Sequence, residues 1–256
     1  MRERTSQRLP KDFPLTRLLP NILTLMSLCS GLTGMRYALL GKWQEAVMTF
    51  VAAAIFDMLD GRVARLLNIT SKFGAELDSL SDAISFGVAP GFIIYEWVLK
   101  NEAGSLGWIA VLIYSVCCAL RLARFNTMLE DHEAPVWAKS YFTGVPAPGG
   151  AGLALLPLAF YLECGPAAEL PPYVLAFWLM FVGGMMVSRV PTLAFKGWRI
   201  TPIWVTPIFI LIALAIAGLV TNPWLTLSAA GIIYIISLPI GWASYRRKMK
   251  SELVNH

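Results

Sequence analysis

Asp57, Asp60, Asp78 and Asp82 sit close together in a chain of 256 residues that is 57% hydrophobic. A carboxylate at membrane depth is costly, about 2.5–3.5 kcal/mol on insertion scales, and it demands a partner. Four such groups repel one another unless cations lie between them. Asp57 and Asp60 are spaced i, i+3, and Asp78 and Asp82 are spaced i, i+4, so each pair occupies one face of a helix. The residues between the pairs, among them Arg65, Asn68, Thr70, Ser71 and Lys72, are polar enough to turn at a membrane surface. Two antiparallel helices then gather four carboxylates just below that surface. Hard oxygen ligands suit Mg²⁺, Mn²⁺ or Ca²⁺ rather than zinc. Four carboxylates can hold two such ions, an arrangement that clamps a phosphoryl group under attack. Gly61, Ala64 and Gly74 remove side-chain bulk beside the carboxylates, and Arg65 offers a planar fork to phosphate oxygens. Helix packing and a helix start are the competing roles for the two glycines.

The elements that must carry these residues are membrane helices. Only 14% of the chain is charged, against about 25% in a soluble domain. Apolar runs broken by Gly, Pro and charge predict eight helices, near 20–40, 44–66, 75–99, 105–128, 146–163, 171–189, 202–220 and 224–245. The expected fold is therefore an all-α, polytopic membrane helix bundle. Threaded from the N-terminus, eighteen of the twenty-one Lys and Arg residues fall on one side. The exceptions are Arg36, Lys42 and Lys100. The positive-inside rule makes the basic side cytoplasmic and puts both termini there. Residues 1–19 read as a basic, amphipathic segment, residues 20–245 as the membrane domain and residues 246–256 as a basic tail. The basic tails would hold anionic lipid. No nucleic-acid partner is expected. Cys29, Cys117, Cys118 and Cys164 lack CxxC spacing, and His132 and His256 are isolated, so no zinc site or disulfide framework is indicated. Trp43, Trp97, Trp178, Trp204 and Trp224 fall near expected span ends and read as interfacial belt residues. No cleavable leader or targeting presequence is recognised, which favours a prokaryotic inner membrane.

The run Asp57-x2-Asp60-Gly61-x2-Ala64-Arg65-x8-Gly74-x3-Asp78-x3-Asp82 resembles the signature of the CDP-alcohol phosphatidyltransferase family at every fixed position. The resemblance implies displacement of CMP from a CDP-linked lipid by an alcohol hydroxyl, with a divalent metal, in a homodimeric protein. Carried over by position, Asp57, Asp60 and Asp78 resemble metal ligands. Asp82 resembles the residue that takes the acceptor's proton while also touching metal. Gly61, Ala64, Arg65 and Gly74 resemble the nucleotide-binding positions. Mg²⁺ or Mn²⁺ is the implied cofactor, with two ions, and Ca²⁺ can stand in their place.

Further stretches resemble the membrane-integral, serine-accepting branch of that family. These are Pro20-Asn21-Ile22-Leu23-Thr24, the run from Ser81 to Pro90, the run from Ala119 to Asn126, and Phe142-Thr143-Gly144-Val145-Pro146. CDP-diacylglycerol and L-serine are then the implied substrates. Serine carries a carboxylate, and Arg121 and Arg124, three apart on one helical face, can hold it or a phosphate. Snorkelling to lipid phosphates is their competing role. Asn21 and Thr24 are candidates for the diphosphate or the metal shell, or else for helix capping. Ser85 fits a packing contact, and Arg189, Lys196 and Arg199 fit a role in fixing topology, with lining the pocket from the far side as the competing one. The same chemistry with glycerol-3-phosphate, inositol phosphate or choline is the nearest alternative. A divalent-cation transporter is a more distant one, disfavoured because the aspartates gather near one surface and no inverted repeat is present.

Overall fold

The computed structural model describes residues 18–69, 71–130, 141–188, 191–193 and 204–254. The amphipathic segment through residue 17, His132, Lys139, Arg189, Lys196, Arg199 and His256 lie outside the described residues. Eight long helices occur within them: α1 (Leu19–Leu39), α2 (Trp43–Leu66), α3 (Lys72–Glu102), α4 (Gly104–Glu130), α5 (Ala147–Cys164), α6 (Pro172–Val187), α7 (Val205–Thr221) and α8 (Pro223–Val254). Among the described residues the one departure from an all-helical pattern is a pair of three-residue antiparallel strands, Tyr141–Thr143 and Pro191–Leu193, flanking α5 and α6.

Five of these helices, α1, α3, α4, α5 and α8, are long and apolar enough to cross a membrane, and the protein is an integral membrane protein. The expected eight spans therefore need qualification. Helices α6 and α7 are apolar but only 16 and 17 residues long. Helix α2 has the length, yet Asp57, Asp60, Arg62 and Arg65 make its final turns polar. The last helix also continues through the expected tail to Val254, since Arg246, Arg247, Lys248 and Lys250 are good helix formers.

The chain turns from α2 to α3 within a few residues. Asn68 adopts φ 54°, a left-handed conformation that Asn tolerates better than most residues. The Ile69 N–H donates to the Ala64 carbonyl at 2.9 Å and the Asn68 N–H to that of Arg65 at 3.2 Å, so the end of α2 is closed. Ser71 then caps α3 by accepting from the Gly74 N–H at 3.0 Å.

Helix α1 packs into the cleft between α2 and α3 through a seam of small residues. Thr24, Ser27, Gly31, Gly34 and Ala38 recur at spacings of three and four and are all buried. A Cβ on Gly31 would lie 2.8 Å from the Ser85 Cα, so only glycine permits this approach of backbone to backbone.

Two prolines shape the other contacts. Pro157, inside α5, has no N–H to return to the Leu153 carbonyl, and Trp178 Nε1 of α6 donates to that carbonyl at 2.9 Å. Trp178 is thus a helix-to-helix donor within α6 rather than a belt residue at its end. Pro90 lies just after a π-type stretch, Ala83–Val88, in α3. There the buried Tyr114 of α4 donates its hydroxyl to the Phe86 carbonyl at 2.7 Å, and Ser115 Oγ donates to that of Gly87 at 2.9 Å. Irregular backbone at membrane depth is tolerated where neighbouring helices supply such partners.

Trp178→Phe should lower stability by about 1 kcal/mol, the typical net value of one such hydrogen bond. In a Pro157→Ala background, where the helix regains its own donor, the same change should cost much less. Thermal unfolding of the four proteins of this double-mutant cycle, in detergent, measures the difference. Equal costs in both backgrounds would show that Trp178 does not compensate Pro157.

Candidate active site

The seam on α1 positions the carboxylates. Thr24 Oγ1 donates to Asp60 Oδ2 at 2.7 Å, and Asp60 is buried. Ser81 Oγ, one residue before Asp82, donates to the Thr24 carbonyl at 3.1 Å. Ser27 Oγ donates to the Ala53 carbonyl of α2 at 3.0 Å, and Ser85 Oγ donates to the Ser27 carbonyl at 3.2 Å. One helix that supplies no carboxylate therefore fixes the two that do.

In this frame Asp57, Asp60 and Asp78 each present one oxygen, and the three oxygens lie within 4.8 Å of one another. Asp82 packs against Asp57, and its Oδ1 is buried without a hydrogen-bond partner. Buried polar atoms are rarely left unmatched, and clustered carboxylates with no cation would repel. An all-oxygen donor set of this density fits a hard divalent cation. Among the described residues the ion pair within 4.0 Å is Lys100–Glu96, remote from this cluster, so no side-chain cation neutralises it by direct contact.

A cavity of about 200 Å³ opens beside the cluster. Its walls include Asn21, Thr24, Gly61, Ala64, Arg65 and Gly74, together with Asp60 and Asp78. The structure thus gathers on one cavity every residue that sequence reasoning assigned to the nucleotide. Arg65 is exposed and its Nε donates to the Gly61 carbonyl at 2.9 Å, which orients the guanidinium along the rim. A Cβ on Gly61 would meet nothing within 4 Å. Packing therefore does not explain this mid-helix glycine, which costs about 0.5–1 kcal/mol relative to alanine. Gly74 differs, because a Cβ there would sit 3.1 Å from Asn21 Oδ1 and from Ser71 Oγ.

The two arginines of α4 part company. Arg121 is half-buried and faces Asp57 and Asp82, with its Nε unpartnered. Arg124 turns toward α6, where Nη1 donates to the Val187 carbonyl at 2.8 Å and closes that helix end. Asn126 Nδ2 donates to Ser79 Oγ at 2.9 Å and ties the same end of α4 to α3, between Asp78 and Asp82. A second cavity, about 190 Å³ and lined mostly by apolar residues of α2, α5 and α8, carries Tyr234 as its main polar group. Sequence reasoning missed Ser27 and Tyr234 and took Ser81 only as the start of a family-like run, without a contact of its own. The small-residue spacing on α1 was a usable signal for the first, whereas the other two depend on contacts between distant helices.

Residues 17–190 match the family model described as CDP-alcohol phosphatidyltransferase, and residues 203–239 match one described as CDP-alcohol phosphatidyltransferase 2. The chain is 37% identical to a CDP-diacylglycerol–serine O-phosphatidyltransferase of Mycobacterium leprae, over 87% of this chain and 74% of the relative. It is 35% identical to the Helicobacter pylori protein of the same name, over 88% of this chain and 91% of the relative. A Bacillus subtilis protein of that name is 32% identical over 70% of this chain and 91% of its own length.

Thr24→Val keeps the shape of the seam and removes the donor to Asp60. Loss of a partner behind a metal-ligating group typically costs 10–100-fold in metal affinity. Titration of the purified protein with Mn²⁺, followed by electron paramagnetic resonance, should show a decrease of at least about tenfold. An unchanged affinity would separate Thr24 from any cation site.

Proposed function

The chain belongs to the CDP-alcohol phosphatidyltransferase family, and from that premise we propose that it transfers the phosphatidyl group of CDP-diacylglycerol to the hydroxyl of L-serine, releasing CMP. The observation that carries this reading is the convergence of the signature. Its fixed residues from Asp57 to Asp78, on two helices and the turn between them, line one cavity or the carboxylate cluster beside it, and Asp82 packs against Asp57. The names of the relatives support serine as the acceptor.

In this mechanism the serine oxygen attacks the phosphorus that bears diacylglycerol. The bond from that phosphorus to the CMP oxygen breaks, and the hydroxyl proton passes to Asp82. An unassisted hydroxyl is a poor nucleophile at neutral pH, and a positioned base contributes about 10²–10⁴-fold. Asp57, Asp60, Asp78 and Asp82 would hold two divalent ions, Mg²⁺ or Mn²⁺, which when bound neutralise the diphosphate as CMP departs. Gly61 and Ala64 admit the nucleotide close to the backbone of α2, and Arg65 meets its phosphate from the rim. Asn21 lines the same cavity, and Thr24 holds Asp60 in place. Arg121 holds the serine carboxylate on the flank of Asp57 and Asp82. Arg124 supports that flank through the end of α6.

The basic-residue asymmetry supports a site at the cytoplasmic face of the membrane, with eight spans, both termini inside, and anionic lipid at the basic tails. The family resemblance further implies a homodimer.

The decisive assay is CMP release from CDP-diacylglycerol with L-serine, glycerol-3-phosphate, inositol phosphate or choline, with and without Mn²⁺ or Mg²⁺. Serine-dependent release that is abolished by chelation and restored by either ion is expected; release with another alcohol alone would refute the serine assignment. Asp82→Asn should lower kcat by at least about 10²-fold while CDP-diacylglycerol binding persists. Gly61→Ala should raise the KM for CDP-diacylglycerol several-fold with no loss of thermal stability. A stability loss without a KM change would return Gly61 to a packing role.

A further inference from the structure

Three buried polar atoms without partners belong to one neighbourhood. They are Asp82 Oδ1 on α3, Arg121 Nε on α4 and the Tyr234 hydroxyl on α8. Arg121 links the other two, since it lies within electrostatic reach of both the Asp82 carboxylate and the Tyr234 phenol. No ion pair within 4.0 Å closes the gap between Arg121 and either carboxylate it faces. Unmatched donors and an unmatched acceptor on three helices are the groups that a small polar molecule entering between them would complete.

We propose that the Tyr234 hydroxyl is an acceptor-binding group that donates to the carboxylate of the incoming amino-acid alcohol beside Arg121. The proposal rests on the reading of the acceptor as serine and extends it to a helix outside the residues matched by the larger family model. A carboxylate can accept about four hydrogen bonds. The Arg121 fork provides two of them, and a phenol adds one without adding charge. One guanidinium and one neutral donor match the single negative charge of a carboxylate. A phosphorylated alcohol would require more cations than this flank supplies. With its carboxylate held there, serine presents its hydroxyl toward Asp82, the third member of the group.

Tyr234 is held where this role needs it. Its hydroxyl lies against Gly149 of α5, where a Cβ would sit 3.0 Å from the phenolic oxygen and 3.2 Å from Cζ. Glycine at 149 therefore leaves the space that the phenol occupies. The ring forms part of the wall of the apolar cavity with Phe50 and Leu156, so Tyr234→Phe preserves the packing and removes only the donor.

The test uses the full chain in lipid-containing micelles with L-serine and, as the probe without a carboxylate anion, L-serine methyl ester. Tyr234→Phe should raise the KM for L-serine at least about tenfold, the effect of losing one hydrogen bond to a charged group. The KM for CDP-diacylglycerol should stay within twofold of wild type. The preference for serine over its ester should shrink by the same factor. Gly149→Ala, which crowds the phenolic oxygen, should raise the serine KM selectively as well. An unchanged serine KM in Tyr234→Phe, or equal rises in both KM values, would overturn the proposal, as would an undiminished preference over the ester. Wild-type protein that releases no CMP with serine would instead refute the acceptor reading itself, before any variant is compared.

Discussion

The structure depends on a buried polar seam along α1. Its hydroxyls and carbonyls do what water does elsewhere: Thr24 donates to Asp60, and the Thr24 and Ser27 carbonyls accept from Ser81 and Ser85. Two helices carrying like charges have no reason to approach in a medium of low dielectric. Here they approach because a third helix binds both through short side chains. Small residues make this possible, because only Gly31 lets the backbones of α1 and α3 come close enough for serine hydroxyls to span the gap. Each of these bonds is worth little alone. Together they set the register between Asp57 and Asp60 on one helix and Asp78 and Asp82 on the other.

That register asks α3 to be polar and tightly seated at its start and irregular just beyond. The π-type stretch begins immediately after Asp82. Such turns widen the helix and leave carbonyls without their usual donors. Tyr114 and Ser115 supply donors from α4, the helix that also presents Arg121 about two turns further along. The irregular backbone and the cation facing the carboxylates are thus anchored to one another. The same device recurs at Pro157, where Trp178 repairs the helix of α5. Proline in this bundle locks helix pairs together, because the carbonyl it frees must be matched from outside.

The helices were legible in the sequence because apolar runs of span length, cut by Gly, Pro and charge, have few alternatives in a bilayer. The carboxylate cluster was legible for a different reason: its members lie on two consecutive helices joined by a short turn, so local spacing already implied proximity. What escaped was long-range. Trp178 looked interfacial because its partner, a carbonyl freed by Pro157, belongs to another helix. Ser81 looked like part of a motif, and only its partner Thr24 shows it to be a strut. Arg121 and Arg124 looked equivalent on one face, yet the end of α6 captures Arg124 and leaves Arg121 facing the aspartates. Helix α2 stands outside the five apolar helices because it bears the polar residues of the site.

The four carboxylates divide between two flanks, and each helix contributes one to each. Asp60 and Asp78 line the cavity that holds the glycines and Arg65, while Asp57 and Asp82 face Arg121. A phosphoryl transfer needs such a division, because the entering and leaving oxygens must lie roughly in line across the phosphorus. On the proposed reading the nucleotide departs on the flank of Asp60 and Asp78, and the alcohol enters on that of Asp57 and Asp82. The i, i+3 and i, i+4 spacings then do more than place two carboxylates on one face. They turn the second of each pair far enough around its helix for the cluster to serve two substrates at once.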